Sequence, residues 1–143
     1  MTVKQISVFL ENKPGKLLDF TKLLREHDID MQALALADTA DFGIVRVIVS
    51  DSYKAACTLK EAGYVYSITP VLAAAIPDKA GSLCEILELL NEKGINLDYT
   101  YAFTGRQVNS AYIILRVDKP EEAAALLAES GIHLVSQTEL NEL

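Results

Sequence analysis

Two short segments carry residue types that could grip a small anion: Asn12-Lys13-Pro14-Gly15-Lys16-Leu17 and Asp78-Lys79-Ala80-Gly81-Ser82-Leu83. In each, a glycine precedes a run with helical spacing, so it stands where the first N–H groups of a helix lack intrahelical partners and carry partial positive charge. Glycine also lacks the Cβ that would hold a ligand away from the main chain. A carboxylate fits such a place. The same residues admit a plainer reading, in which Pro14-Gly15 makes a tight turn and Asn12 or Asp78 caps the helix. The second segment has Ala80 in place of Pro14 and Asp78 in place of Asn12. The Asp78 carboxylate repels an anion unless it meets a ligand's amino group instead, so the first loop is expected to carry the better site.

No other cluster is equipped for catalysis. Cys57 and Cys84 stand alone, without a second Cys or a His at ligand spacing, and read as buried, reduced thiols; no metal or cofactor is expected. His27 and His133 have no Ser, Cys or carboxylate at triad spacing and read as surface residues. A phosphate-cradling loop of the acylphosphatase kind would need an Arg after the first strand, where only Lys13 and Lys16 are found. A copper-chaperone loop would need Cys-x-x-Cys, and an RNA-binding sheet would need paired aromatics among basic residues on its third strand. Neither is present, so the chain is not expected to be an enzyme.

The elements that position the two segments repeat. Gly81 follows Gly15 by 66 residues, and the same register aligns Ile6, Val8 and Leu10 with Leu72, Ala74 and Ile76. It continues through Phe20, Leu23 and Leu24 onto Ile86, Leu89 and Leu90, and through Ile29-Asp30-Met31 onto Ile95-Asn96-Leu97. With a slip of one or two residues, Gly63 meets Gly131. Alternation predicts strands over 3–10, 31–37, 44–49, 64–69, 71–76, 97–103, 109–117 and 132–138. Helical spacing predicts helices over 16–26, 53–62, 82–93 and 120–129, three of them followed by the glycines Gly63, Gly94 and Gly131. Asp38 to Gly43 reads as a hairpin loop.

Each copy is thus strand, helix, strand, strand, helix, strand, which gives an antiparallel sheet with both helices on one face. The fold class is α+β: two ferredoxin-like βαββαβ units in tandem, residues 1–69 and 70–143. Val71 to Ile76 is apolar on both sides, so something must cover the face that the helices leave open. Tyr99, Tyr101 and Phe103 alternate on one face with Tyr112 near them, either as core or interface or as a pocket wall for an apolar ligand. The corresponding stripe of the first copy is Met31, Ala33, Ala35 and Ala37, so the two copies cannot present the same surface.

Charge narrows the partners. A net charge of −7 repels phosphate backbones and anionic lipid, which excludes nucleic acid and membrane surfaces as expected partners. The N-terminus leads straight into a strand with no signal core, and no apolar run approaches the roughly 20 residues that span a bilayer, so a cytoplasmic location is expected.

The βαββαβ order, the Asn12 to Leu17 turn and the helix end Glu92-Lys93-Gly94-Ile95-Asn96-Leu97 together resemble the ACT domains, small regulatory modules that bind amino acids. The resemblance covers nearly the whole chain, twice. It implies a non-catalytic, allosteric regulatory or sensor protein that binds a small metabolite such as an amino acid, with a homodimer and a partner metabolic enzyme as associations. It also implies a ligand lying between two modules, touching the glycine turn of one and the start of the second strand of the other. One such site joins Asn12, Lys13, Pro14, Gly15, Lys16 and Leu17 to Asn96, Leu97 and Asp98; the reciprocal one joins Asp78, Lys79, Ala80, Gly81, Ser82 and Leu83 to Asp30, Met31 and Gln32. The alternative is a ligand-free oligomerisation or interaction module that regulates a partner enzyme.

Overall fold

A computed structural model describes residues 1–38, 41–103, 105 and 107–143. The elements run β1 (Val3–Glu11), α1 (Lys16–Glu26), β2 (Met31–Asp38), β3 (Phe42–Val49), α2 (Ser52–Glu61), β4 (Tyr66–Pro77), α3 (Ser82–Glu92), β5 (Leu97–Phe103), β6 (Ser110–Val117), α4 (Pro120–Glu129), β7 (His133–Leu134) and α5 (Gln137–Glu142). The chain divides into two compact units, Lys4–Thr69 and Pro70–Leu143, the latter taking in Met1–Val3.

In the first unit β1 pairs antiparallel with β3, and β3 with β2. The opening residues of β4 flank β1 on its other side, where the Phe9 N–H donates to the Val65 carbonyl at 3.0 Å. In the second unit β6 lies between β4 and β5, and β7 pairs with β4. Both are the βαββαβ plan expected from the sequence.

Each unit has its own core. Ile6, Val8 and Leu10 of β1 and Val45, Val47 and Val49 of β3 pack with Phe20 and Leu24 of α1 and Ala55 and Leu59 of α2. The counterparts Leu72, Ala74 and Ile76 pack with Ile86 and Leu90 of α3 and Ala123 and Leu127 of α4. Period two on the strands and spacings of three and four on the helices put all of these on facing surfaces. Burying Phe20 alone removes enough apolar area from water to stabilise by about 1.5–3 kcal/mol. The helix ends repeat as well, with Ile29 and Ile95 amides donating to the Leu24 and Leu90 carbonyls at 2.9 Å. The left-handed position before them is Asp28 in the first copy and Gly94 in the second.

Several local expectations are corrected. The strands expected over 64–69 and 71–76 are one strand, β4, which continues through Pro70. The strand expected over 132–138 shrinks to His133–Leu134 because Ser136 and Glu139 form a capping box that starts α5: the Ser136 hydroxyl accepts from the Glu139 amide at 3.2 Å, and the Glu139 carboxylate accepts from the Ser136 amide at 2.8 Å. Cys57 and Cys84 are exposed rather than buried, since the core-facing positions of α3 are Ser82, Ile86 and Leu90 and Cys84 points away from them. Of the hairpin loop expected over Asp38 to Gly43, Asp38 still belongs to β2 and Phe42 and Gly43 already belong to β3; residues 39 and 40 lie outside the described residues.

Met31 does not share a face with Ala33. The pairing shifts between them, Met31 facing Val49 and Ala33 facing Ile48, which marks a β-bulge at Gln32. Leu97 and Tyr99 show the same shift against Val117 and Arg116, with the extra residue at Asp98. The two stripes therefore begin at Ala33 and Tyr99. On the second, Phe103 and the buried Tyr112 stand opposite each other with ring centres 5.3 Å apart.

Candidate functional site

The first glycine turn is a type II turn. The Lys16 amide donates to the Lys13 carbonyl at 3.3 Å, Pro14 occupies the second position, and Gly15 takes φ 86°, ψ −12°. Its counterpart closes from the Ser82 amide to the Lys79 carbonyl at 3.4 Å, with Gly81 at φ 92°, ψ −12°. Glycine is thus demanded by the positive φ, and the space a Cβ would enter is open in both turns.

Neither Asn12 nor Asp78 caps its helix; the N-cap residues are the glycines themselves and no side chain bonds there. The Asp19 and Glu85 amides donate to the Gly15 and Gly81 carbonyls at 2.9 and 3.0 Å. Among the described residues no acceptor meets the amides of Gly15, Leu17 and Leu18, or of Gly81, Leu83 and Cys84. The turns are therefore sets of uncapped donors at helix N-termini.

Their side chains differ. Lys13 is held by Glu11 at 2.9 Å; the hydrogen bond and charge of Lys13, with Lys16 behind it, lower the Glu11 pKa, and Glu11 raises that of Lys13. Lys16 is left as the cation outside that pair. In the second turn Pro77 stands in place of Glu11 and Ser82 in place of Lys16. Ser82 is only 4% exposed, and its hydroxyl has no hydrogen-bond partner among the described residues.

The strand starts are equally well formed. The Ser50 amide donates to the Asp30 carbonyl at 3.1 Å, and the Asp118 amide to the Asn96 carbonyl at 3.1 Å. The Asn96 amide donates to the Asp118 carboxylate at 3.0 Å, and its side-chain amide to Asp98 at 2.8 Å. The bulges sit at Gln32 and Asp98, positions where such irregularities re-aim side chains.

Within one unit the glycine turn and the start of the second strand lie at opposite ends of the sheet. Glu11, just before the turn, faces Phe42 at the start of β3, whereas Met31 faces Val49 at its end. Seven strand residues separate these ends by about 20 Å. The second unit repeats this: the Asp78 amide donates to the Asn109 carbonyl beside the start of β6, while Leu97 faces Val117 at its end. A small ligand therefore cannot touch both kinds of element within one unit.

Sequence reasoning passed over two cavities. One, of about 620 Å³ in the second unit, has a floor of Ala124, Ala125 and Ala128 and a rim bearing His133 and Glu139, 3.4 Å apart. The other, of about 320 Å³ in the first unit, is flanked by Lys16, Asp19 and Tyr64. Lys16 and Asp19 are three apart on a helix, a spacing that brings side chains together and was legible in the sequence; Tyr64 arrives only through the fold. Among the described residues no group of three His, Cys, Asp or Glu side chains could hold a metal, and no helix is long and apolar enough to cross a membrane.

The sequence matches the family model described as an ACT domain pair over residues 1–143. Among solved structures, a protein from Bacteroides thetaiotaomicron is 36% identical, with a TM-score of 0.93 over 100% of this chain and 98% of that one. The ligand-free regulatory subunit of aspartate kinase from Thermus thermophilus superposes with a TM-score of 0.64 at 13% identity, over 88% of this chain and 90% of that one. The corresponding subunit from Thermus flavus gives 0.62 at 14% identity over the same shares. At those identities the two subunits speak for the fold. No curated protein sequence matches.

Proposed function

The chain belongs to the family of ACT domain pairs, and from that premise we propose that it is a non-catalytic regulatory sensor for a small metabolite, an amino acid, held by the uncapped glycine turns. The observation that carries this reading is the pair of type II turns at the heads of α1 and α3, each presenting main-chain donors that no described residue occupies. A ligand carboxylate accepts from these donors and gains from the positive end of the helix. The bulged strand starts, Asp30 to Gln32 and Asn96 to Asp98, are the proposed opposite wall in a neighbouring module. Lys16 makes the first turn the stronger site for an anion. In the second turn Asp78 stands where the first has Asn12 and Ser82 where it has Lys16, and its site is the weaker.

Part of the first unit's surface favours a further association. Phe9 and Phe42, on the face of the sheet turned away from α1 and α2, are 48% and 57% exposed, large apolar side chains that an association would remove from water. A second copy of the chain, or the enzyme it regulates, is the partner such a surface accommodates.

A thermal-shift screen against the twenty amino acids tests the sensor reading, because a ligand of the folded state raises the melting temperature by mass action. At least one amino acid is expected to do so. Calorimetry with that ligand should find binding weakened at least tenfold by Gly15→Asp, which sets a carboxylate against the ligand's own; the Gly15→Asn control carries the same backbone strain without the charge. No shift with any amino acid leaves the assembly module as the reading.

A further inference from the structure

The second unit holds another cavity, of about 370 Å³, between its sheet and α5. The volume falls within the range of small-molecule sites, about 300 to 1,000 Å³. The strand register accounts for the opening. Ala75 of β4 pairs with Tyr112 of β6 on one side and with His133 of β7 on the other, so the three side chains stand in a row on one face. That face is turned away from α3 and α4, because the alternate residues Leu72, Ala74 and Ile76 are the ones in the core. Between two large side chains Ala75 contributes only a methyl group, which leaves a trough. Val135, two residues on from His133, lines the same side, and Glu139 and Glu142 of α5 with Leu143 beyond them close the other.

The charges here are of one sign. Among the described residues no lysine or arginine lines the cavity; its carboxylates are Glu139 and Glu142, with His133 as the titratable base. Glu139 is already engaged, accepting from the Ser136 amide at 2.8 Å and meeting His133 at 3.4 Å. Glu142, three residues on along α5, is in no ion pair among the described residues. Tyr112 is 2% and Val135 3% exposed, which makes the sheet side a firm apolar wall. An ammonium group pairs with such carboxylates, whereas a carboxylate brought in with it would be repelled by them.

We propose that this cavity is a second ligand site, for a compact organic amine that carries no carboxylate. Glu142 and Glu139 take the ammonium, the Gln107 amide takes a second polar end, and Tyr112, Val135 and Leu143 cover an alkyl or aryl body. The two kinds of site then divide on one group: the glycine turns offer donors to a carboxylate, and this cavity offers acceptors to an amine without one. Such an amine is what an amino acid yields on decarboxylation, with loss of carbon dioxide. The site is not duplicated. In the first copy Phe9 puts a ring where Ala75 leaves a trough, and the chain runs on into β4 where the second copy turns into α5. No residue of either glycine turn takes part, so the site stands or falls separately from the sensor reading.

The test is a titration of the intact, isotope-labelled chain at fixed pH and ionic strength, followed at backbone amides. The probes are isopentylamine, phenethylamine and tyramine, each beside its parent amino acid, L-leucine, L-phenylalanine or L-tyrosine. Saturable movement at Gln107, Tyr112 and Val135 is expected with at least one amine, and at those amides the parent amino acid should bind at least about tenfold more weakly. Glu142→Gln, whose folding the same spectra report, should weaken the amine about tenfold as a charge-assisted contact is lost. His133→Lys, which sets a permanent cation against Glu139, should weaken it too, and Gly15→Asp should leave it in place. Movement confined to the glycine turns and strand starts would overturn this site while supporting the turn sites. Movement that does not saturate and spreads over the acidic faces of α4 and α5 would show charge attraction alone and overturn it. Equal binding by the parent amino acid, or by the Glu142→Gln variant, would do the same.

Discussion

The two glycine turns differ by only 6° in glycine φ and share a ψ of −12°, yet their side chains have nothing in common beyond a lysine and a leucine. One turn has Lys16 and a Glu11–Lys13 pair; the other has Asp78 and a buried serine hydroxyl without a partner among the described residues. Backbone geometry in this chain is held by one residue type at one φ, so the side chains around it were free to diverge. The copies have kept the means of presenting main-chain donors and have parted over what else surrounds them.

The largest test of that comparison is on the cores. Leu24 and Leu90 are each 2% exposed at matching positions, and truncating either to alanine should cost about 2–5 kcal/mol. Hydrogen exchange should show Leu24→Ala lowering protection first within Lys4–Thr69 and Leu90→Ala within Pro70–Leu143; equal loss in both units from either change would break the picture of two self-sufficient cores. The hairpins come next. Ala37 faces Ile44, seven positions on, but Phe103 faces Tyr112, nine on, and in the longer hairpin a Cβ on Gly105 would overlap the buried Tyr112 ring. Gly105→Ala should cost about 1–3 kcal/mol in chemical denaturation, and Gly43→Ala, whose Cβ would meet the Leu36 side chain at 3.3 Å and backbone oxygens at 3.7 and 3.8 Å, should cost less.

Smaller effects sharpen the contrast. Ser136→Ala removes half of the capping box that, among the described residues, the second copy alone has, and should cost about 1 kcal/mol, read as fraying of α5. Ala80→Pro should instead stabilise by about 0.4–1 kcal/mol, since proline already occupies the matching place in the first turn and the Ala80 amide donates no main-chain bond among the described residues. A loss of stability there would show that the turns are less alike than their glycines.

The legible part of the fold is the part set by local rules. Lys16–Glu26 and Pro120–Glu129 end where apolar spacing, a following glycine or a leading proline says they should. The bulges at Gln32 and Asp98 were hidden because a two-residue period is assumed when a strand is read, and a bulge is the place where that period fails. The signal for α5 was present in Ser136-x-x-Glu139 and was outweighed by the β-like run before it. The exposure of Cys57 and Cys84 depended on which way each helix is turned, which a single small residue on an amphipathic face does not decide. For the site, the glycines and their turn type could be read from sequence; that Asn12 and Asp78 leave the helices uncapped, and that Glu11 occupies Lys13, could not.

Strand β4 spans twelve residues, Tyr66–Pro77, and belongs to both copies. Duplicated modules are ordinarily tied by a tether that can lengthen, shorten or be cut, and here the midpoint of the chain is itself hydrogen-bonded strand. Proteases that nick flexible spacers have no spacer to find there, and foreign sequence spliced in near Pro70 would have to interrupt a strand instead of lengthening a loop. A cut or an insertion at that midpoint would therefore disturb strand structure on both sides of it, even though each half has a core of its own.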